Sequence, residues 1–592
     1  MRWSLDELYT SFQSESFNND IEKLDQLIKE VKAWAKTNLK NHEDAKSKAE
    51  YYISKEIQLS QLFSKLMAYS SLTVSVEAKN QDALKAMDKL HVKHNELVES
   101  SVAFEKWLSS VENLDKLIEC SDILKEHEFY LRQIVERSKY LLSEELEVLI
   151  AKMSNTGSKA WEKLQNVLTS TLLVDMEIDG EQKQLPLPVV RNMAYDSNAD
   201  TRRKAYEAEL KAYKKIEESS AACLNGIKGE VLTVSELRGY NSPLEETIIK
   251  SRIDQLTLDT MLEAMKESLP DFHRYYRKKA EILGHKNGLP FFDLFAPIGK
   301  LDMKFTYDEA RKYIVDKFRT FSDKLADFAD KAFEKRWIDA EQREGKRGGA
   351  CCFNLFAIGE SRILSNFSGS FSSMTTLAHE LGHGYHGHCL KSESILNCNY
   401  TMPIAETASI FCETIIMNAA LKEATPEQAF SILEMNISDA GQVIVDIYSR
   451  FIFESAVFNT RKDHSLSVEE IKELMIQAQK QAYGDSLDHN YLHPYMWICK
   501  PHYFFTGRNF YNFPYAFGLL FSKGVYAEYL KRGKDFVPEY DRLLNATGRN
   551  NIIDVARMVG IDIHSIDFWR SSLNLIRNDI NRFIELANEL LS

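Results

Sequence analysis

The stretch IEKLDQLIKEVKAW, residues 21–34, gives the clearest indication of the fold. Its apolar residues recur every three or four positions, which places them on one face of an α-helix. The same character extends over the first 179 residues, which contain one glycine, Gly157, and no proline. Because helix breakers are nearly absent, we expect long helices whose apolar faces pack into a core.

Two short segments interrupt the helical pattern. TLLVDMEI (171–178) and EQKQLPL (181–187) flank Asp179-Gly180, and this arrangement predicts a β-hairpin with a type I′ turn. SRILSNFSGSF (361–371) also has strand character. Helical patterns dominate elsewhere. The sequence therefore predicts a mainly α fold with a small β element just before residue 373. An N-terminal helical region over residues 1–195 ends in the hairpin, and a second helical domain covers residues 196–592.

Composition excludes several classes of protein. The 592 residues carry a net charge of -13, whereas a general nucleic-acid binder usually has a basic surface. We find no run of 18 apolar residues and no apolar signal-peptide core at the start, so we expect no membrane partner. The eight cysteines are scattered and form no CxxC pair. This usage favours a reduced, cytoplasmic protein.

The segment richest in chemistry is His379-Glu380-Leu381-Gly382-His383. HExxH on a helix places two imidazoles one turn apart on the same face, where both can reach one metal ion. The intervening Glu380 can then act on a water molecule at that ion. Two histidines, a third ligand and an open position suit zinc. The alternative is an ordinary helix with surface histidines.

The third ligand is not supplied by the metzincin pattern, because Cys389 stands where that pattern has its third histidine and His386 where it has glycine. A predicted helix that begins near Pro403 offers Glu406 and Glu413, seven residues apart on one face. Helix rise separates them by roughly 10.5 Å, so they are not expected to bind the same ion directly. The economical assignment makes Glu406 a ligand and Glu413 the partner of a ligand histidine. A solvated acidic face is the alternative.

A third informative stretch is KPHYFFTGRNFYNFPYAFG, residues 500–518. Core packing explains its phenylalanines. Several tyrosines beside His502 are less expected, because buried hydroxyls need partners. Such hydroxyls could donate hydrogen bonds to an oxyanion. From the residues alone, core packing is the favoured interpretation.

Together these segments resemble the oligoendopeptidase F branch of the thimet oligopeptidase-like zinc metallopeptidases. The resemblance extends over essentially the whole chain and is strongest from 343 to 520. The segments that carry it appear in the expected order: WSLDELYTSF (3–12), GKRGGA (345–350), SRILSNFSGSF (361–371), HELGHGYH (379–386), PIAETAS (403–409) and PHYFFTGRNFYNFPYAFG (501–518). The resemblance implies a two-lobed helical fold with a deep substrate channel, and residues 343–520 as its active-site core.

The resemblance also implies roles for single residues. One zinc ion per chain would be bound by His379, His383 and Glu406, with Glu380 as catalytic base and Glu413 contacting a ligand histidine. His502, Tyr511 and Tyr515 would assist the transition state. The remaining assignments concern substrate binding: Tyr503 as a possible substitute tyrosine, Gly348, Gly349 and Ala350 across the bound peptide, and SRILSNFSGSF as an exposed strand edge that pairs with it.

Two departures from the pattern concern the tyrosines. The spacing from His502 to Tyr511 is longer than in thimet oligopeptidase-like members, and a third tyrosine position falls on Gly518. For the strand segment, an ordinary hairpin that shields the site is the alternative.

The sequence thus predicts a zinc endopeptidase that cleaves internal bonds of short oligopeptides, as a monomer or a small homo-oligomer. Two alternatives stand beside it. A zinc carboxypeptidase would trim residues from peptide ends and would need a group that captures the terminal carboxylate. A non-catalytic peptide-binding scaffold would keep the fold with a vestigial site.

Overall fold

A computed structural model describes residues 1–178 and 180–591. Helices account for 71% of the residues and strands for 5%, so the predicted mainly α fold is confirmed. The chain forms two compact units, each built from three segments. The first unit contains Met1–Leu141, Asp302–Ala419 and Glu528–Ile561; the second contains Leu142–Leu301, Ala420–Ala527 and Asp562–Ser592. The domain boundary predicted at residue 195 falls inside the second unit.

The first unit is built on long N-terminal helices, as the scarcity of glycine and proline predicts. Their apolar faces share a core with Leu355 and Leu364 from a small sheet and with Leu396. This packing attaches the sheet to the helical body. The α-helices of the unit are Glu15–Asn38, Ala45–Val76, Gln81–Ser109, Leu114–Glu119, Asp122–Glu126, Glu128–Ser138, Tyr307–Phe321, Asp323–Glu334, Phe371–Cys389, Met402–Ala405, Val537–Ala546 and Ile552–Arg557.

The second unit is organised around two long helices, Gln255–Ile282 and Ile566–Leu591, which pack along one another. Ion pairs from Arg570 to Glu267 and from Arg577 to Asp271 join their exposed sides. A π-helical turn, Gln442–Asp446, separates two helices of this unit. Its other α-helices are Glu144–Thr156, Ser158–Thr171, Leu187–Asn192, Ala199–Tyr213, Glu217–Arg238, Pro243–Lys250, Pro426–Gly441, Ile447–Arg461 and Val468–Tyr483.

Two α-helices, Thr407–Glu423 and Phe513–Arg532, run across the boundaries between the segments of the two units. The segment Met402–Glu423 is long and apolar enough to cross a membrane by length and composition, and 61% of its most apolar window is buried. A core helix passes the same test, so this is weak support for a span. Short 3-10 turns complete the helical elements: Met193–Tyr195, Phe291–Asp293, Ile395–Asn397, Gly484–Ser486, His489–Tyr491, Pro501–Phe504 and Gly533–Phe536.

The predicted hairpin is present in the second unit. Strands β1 (Leu173–Ile178) and β2 (Glu181–Pro186) pair antiparallel, with Leu173 opposite Pro186 and Ile178 opposite Glu181. Val174 and Met176 of β1 point into the core. Asp179 lies outside the described residues, so the turn type stays a prediction.

The small sheet of the first unit corrects one expectation. Strands β3 (Ile338–Asp339), β4 (Cys351–Leu355) and β5 (Glu360–Leu364) are arranged in the order β3-β5-β4 within the described residues. SRILSNFSGSF supplies β5, which pairs with β4 on one side and, at Ile363 and Leu364, with β3 on the other. The exposed edge predicted for this segment is therefore wrong, because β5 is the central strand. The edge strands are β3 and β4.

Candidate active site

The HExxH motif lies on the helix Phe371–Cys389, which we call the motif helix. Ser370 caps its start by accepting a hydrogen bond from the Ser373 amide at 3.1 Å. At Gly382 the motif helix meets a neighbouring backbone so closely that a Cβ atom would lie 2.5 Å from the carbonyl oxygen of Ala408. Glycine at this position lets the segment that carries Glu406 lie directly against the two histidines.

Glu406 does not lie within a continuous helix, contrary to the expectation from PIAETAS. The chain forms one helical turn, Met402–Ala405, and then breaks at Glu406, whose ψ is 2°. The helix Thr407–Glu423 begins immediately after it. Ser409 fixes the carboxylate by donating to Glu406 Oε2 at 2.8 Å. The break therefore presents Glu406 at the end of one helix, and Glu413 lies further along the next.

Three side chains converge on one point. Glu406 Oε2 lies 3.3 Å from His379 Nε2 and 3.4 Å from His383 Nε2. All three donor atoms lie within 4.8 Å of one another. Zinc binds nitrogen and oxygen at about 2.0–2.2 Å, so tetrahedral ligands would stand roughly 3.3–3.5 Å apart. The two nitrogen–oxygen separations match this spacing, and the donor set fits a zinc ion.

Glu413 faces the other nitrogen of the first histidine. Its Oε2 lies 3.3 Å from His379 Nδ1. Because a carboxylate only accepts, Nδ1 carries the proton, which leaves Nε2 facing Glu406. Burial alone would lower the pKa of His379, but Glu406 and Glu413 outweigh it and raise the pKa to about 10. The two carboxylates thus create a negative potential at this imidazole, and a bound divalent cation can neutralise it in place of a proton.

Glu380 has the surroundings of a proton-transfer group. Its side chain is buried, and within the described part of the chain Oε2 has no hydrogen-bond partner. Burial raises the pKa of this carboxyl, and the nearby His383 and His379 act against the shift. A buried oxygen without a partner costs free energy unless a ligand or water uses it. Glu380 is therefore poised to accept a hydrogen bond from a molecule bound at the site.

The edge strand β4 is attached to the motif helix at the second histidine. Asn354 Nδ2 donates to the His383 carbonyl at 3.2 Å, and its Oδ1 accepts from Ser361 Oγ of β5 at 2.8 Å. Sequence reasoning missed Asn354, because a lone asparagine in a strand has no motif signal. This linkage fixes the strand next to the metal-binding cluster.

The glycine segment lies just before β4. Gly348 and Gly349 are exposed, and Gly349 has a φ of +78°, which favours glycine. Apart from its own atoms and its two chain neighbours, neither residue has a described atom within 4 Å of its Cβ position. Asn366 holds the loop by donating to the Gly349 carbonyl at 2.8 Å. Ala350 follows and leads into the strand, so these three residues form an open loop beside the strand edge.

His502, Tyr511 and Tyr515 form a separate cluster within the second unit. The rings of His502 and Tyr511 are 4.8 Å apart, and the Tyr515 hydroxyl donates to the Tyr511 hydroxyl at 3.2 Å. Asn512 Oδ1 accepts from His502 Nδ1 and from Arg450, both at 3.0 Å. Burial, reinforced by Arg450, lowers the pKa of His502. Because Asn512 Oδ1 accepts from Nδ1, Nε2 is the acceptor nitrogen of the ring in its neutral form.

Tyr503 differs from these neighbours. It is 1% exposed and packs edge-to-face on Phe453 at 5.0 Å between ring centroids. The side chain is part of the core, so the structure does not support its predicted role in substrate binding. The sequence shows only alternating aromatic residues here and does not reveal which of them face inward.

Comparison with known proteins agrees with this description. The sequence model of peptidase family M3 matches residues 192–575, and a model described as oligopeptidase F matches residues 110–172. Oligopeptidase PepF of Bacillus subtilis is 23% identical, over 99% of this chain and 87% of its own length. Group B oligopeptidase PepB of Streptococcus agalactiae is 24% identical, over 90% of this chain and 88% of its own.

Solved structures show the same fold. A crystal structure from Chlamydophila abortus superposes with a TM-score of 0.85 at 19% identity, covering 99% of this chain and 98% of that one. Oligoendopeptidase-F from Enterococcus faecium superposes with a TM-score of 0.71 at 18% identity, covering 97% and 99%. With its mainly α fold and its cluster of two histidines and a glutamate, the chain belongs to peptidase family M3, in the oligopeptidase F branch.

Proposed function

We propose that this chain is a zinc-dependent endopeptidase that hydrolyses internal peptide bonds of short oligopeptides. The observation that carries the proposal is the convergence of His379, His383 and Glu406, with the Glu406 oxygen 3.3 and 3.4 Å from the two histidine Nε2 atoms. Glu380, on the motif helix with the two histidines, supports it with a buried oxygen that has no hydrogen-bond partner within the described residues. The names of the relatives, oligopeptidase and oligoendopeptidase, support peptides as substrates.

Zinc would be held by those three side chains and, when bound, would acidify a water molecule and polarise the scissile carbonyl. Glu413 would keep His379 in the tautomer that directs Nε2 to the ion. Ser409 would keep the Glu406 carboxylate in place. These two contacts make the ligand set rigid, which suits a site that must retain one geometry through a reaction.

Glu380 would act as general base and then as general acid. Its carboxylate takes the proton from the attacking water, and the same oxygen later donates that proton to the leaving amine. The raised pKa of this carboxyl suits both steps, because it moves the group toward the pH at which it can accept and release protons. A glutamate fully solvated near its ordinary pKa would be a weaker base.

Substrate would be bound in an extended conformation. The strand β4 lies at a sheet edge and, within the described residues, pairs only with β5, so its other side offers backbone groups for pairing with a peptide. This mode of binding tolerates many side chains. The open Gly348-Gly349-Ala350 loop leaves room for a chain to pass. His502, Tyr511 and Tyr515 are proposed from the family resemblance to assist the reaction, with tyrosine hydroxyls as donors and His502 as an acceptor.

The experiment that tests the mechanism replaces Glu380 by glutamine. The variant keeps the volume and should retain one zinc per chain, while turnover falls by about 10²–10⁴-fold because the proton acceptor is lost. Zinc content and the rate of peptide cleavage are measured on the same preparation. A zinc-loaded Glu380→Gln protein with wild-type activity would contradict the proposed role of Glu380.

A further inference from the structure

The second unit contains a cavity of about 900 Å³ that takes no part in the chemistry described above. Its volume lies within the range of small-molecule binding pockets, roughly 300–1,000 Å³. One side is apolar, with Leu187, Phe291, Phe292 and Met496 among the lining residues. We call this space the second-unit cavity.

Two cations line the same cavity. The Arg191 guanidinium donates through Nη1 to the Cys499 carbonyl at 3.4 Å, and its Nε lies 3.6 Å from Glu209. Within the described residues its Nη2 makes no hydrogen bond. The Lys500 side chain also lines the cavity, and its Nζ makes neither an ion pair nor a hydrogen bond within the same residues; burial lowers the pKa of this ammonium group. A half-buried lysine that forms no ion pair is costly, so an anion bound here would be stabilised.

The other charged groups around the cavity do not neutralise both cations. Arg202 lines the cavity but is paired with Asp293 at 2.7 Å, where both side chains are buried. Glu209 receives a hydrogen bond from Tyr213 at 2.7 Å and lies nearest to Arg191. Asp446 acts electrostatically on Lys500 but forms its ion pair with Arg450. Two carboxylates, Glu209 and Asp446, therefore stand against three cations, Arg191, Lys500 and Arg450, and one positive charge remains uncompensated among these residues.

Two buried side chains in the wall also have polar atoms that make no hydrogen bond within the described residues. His493 is 2% exposed, and neither ring nitrogen makes a hydrogen bond within the described residues; Nε2 is 3.6 Å from Glu209. Gln165, also 2% exposed, donates to the Ile498 carbonyl at 3.0 Å, but its Oε1 accepts nothing there. Both residues line the cavity. The wall thus offers an unused acceptor besides its cations.

We propose that the second-unit cavity binds the C-terminal end of a peptide, with the carboxylate on Arg191 and Lys500 and an apolar last side chain against Phe291 and Phe292. Arginine is suited to carboxylates because its planar fork can donate two parallel hydrogen bonds. A peptide N–H can donate to Gln165 Oε1, whereas a simple fatty acid has no such donor. Only the choice of a peptide rests on the proposed function; the carboxylate site does not.

The test measures binding by calorimetry, with full-length Glu380→Gln protein so that the probe is not cleaved. The probes are N-acetyl-Phe-Leu with a free carboxylate, its C-terminal amide, and octanoate. The free acid is expected to bind, and the amide to bind at least about 10-fold more weakly, because charge-assisted hydrogen bonds are lost. In the same Glu380→Gln background, Arg191→Gln and Lys500→Gln should each weaken binding of the free acid by a similar factor, about 10-fold.

Matched controls distinguish binding in this cavity from binding elsewhere on the protein. Lys163→Gln removes an exposed lysine from the rim of the same cavity and should leave affinity within about 3-fold. Arg191→Lys should retain part of the affinity, and thermal melts verify that each variant is folded. Equal binding of acid and amide, or undiminished binding by both Gln variants, would overturn the proposal. So would tighter binding of octanoate than of the peptide acid, or loss of binding on chelation, which would locate the carboxylate at the metal cluster.

Discussion

Replacing Gly382 by alanine should disrupt metal binding without touching a ligand. The added Cβ would lie 2.5 Å from the carbonyl oxygen of Ala408 and 2.6 Å from the Cα of Ser409. Ordinary van der Waals contact begins at 3.4 Å, so the distance from this Cβ to the Ala408 oxygen would be roughly 0.9 Å too short. Both neighbours are backbone atoms, so the strain cannot be relieved by rotating a side chain.

The displacement acts on the ligand set because Glu406 lies two residues before Ala408. If Glu406 follows the backbone outward, its oxygen moves from 3.3–3.4 Å to about 4 Å from the two histidines, beyond the roughly 3.3–3.5 Å that a tetrahedral zinc allows. Zinc affinity should fall at least about 10-fold, and kcat/KM about 100-fold, the scale of a 1 Å misplacement. Overpacking should lower the free energy of unfolding by about 1–3 kcal/mol, which outweighs the gain of about 1 kcal/mol from the higher helix propensity of alanine.

Gly384→Ala is the matched control on the same helix. Its Cβ would lie 2.9 Å from Phe328 Cζ, which belongs to a side chain that can shift within the core. This variant should have a lower Tm than wild type but keep zinc affinity within about 3-fold of the wild-type value. Affinity is measured by competition with a chromogenic chelator, beside thermal melts. Wild-type zinc affinity and activity in Gly382→Ala would refute the argument that this close backbone approach sets the position of Glu406.

Three further predictions concern groups around the site. Glu413→Ala should weaken zinc binding by about 10–100-fold, measured by chelator competition, because His379 loses the partner that fixes its tautomer. Tyr511→Phe should lower kcat more than it changes KM, in steady-state assays, if its hydroxyl acts in the transition state; a change in KM alone would assign it to ground-state binding. Asp339 is buried and paired with Arg343 at 2.7 Å and Lys346 at 2.8 Å. Burial raises the pKa of Asp339, but these cations outweigh it and lower the pKa below its usual value. The pairing therefore stabilises the fold above about pH 4, the unfolded pKa, and is lost as pH falls below it. Asp339→Asn should cost about 3 kcal/mol at pH 7, and the gap in Tm from wild type should shrink as pH falls below 4; a gap independent of pH would contradict this assignment.

Local pattern was sufficient to predict the helices and the histidine pair. Periodicity and the absence of proline predict the helix Glu15–Asn38, which includes the whole of residues 21–34. HExxH spacing places His379 and His383 together because helix geometry fixes that distance. Such features depend on residues a few positions apart, and this is the range that sequence patterns describe well.

Features set by tertiary contact were not predictable in the same way. No glycine or proline stands at Glu406 or directly before it, where the helix breaks; Ser409 and the facing histidines support the break. The order of the sheet depends on β3, a strand of two residues that no pattern detects. The second-unit cavity is assembled from residues as far apart as Gln165 and Lys500, and no local spacing indicates it.

One cleavage assay tests directly whether this chain is a zinc endopeptidase. An internally quenched short peptide, blocked at both termini, is incubated with the protein with and without a zinc chelator, and the products are identified by mass. We predict internal cleavage that stops with chelator and returns with added zinc. No cleavage of a varied pool of blocked peptides by zinc-loaded protein would contradict the claim.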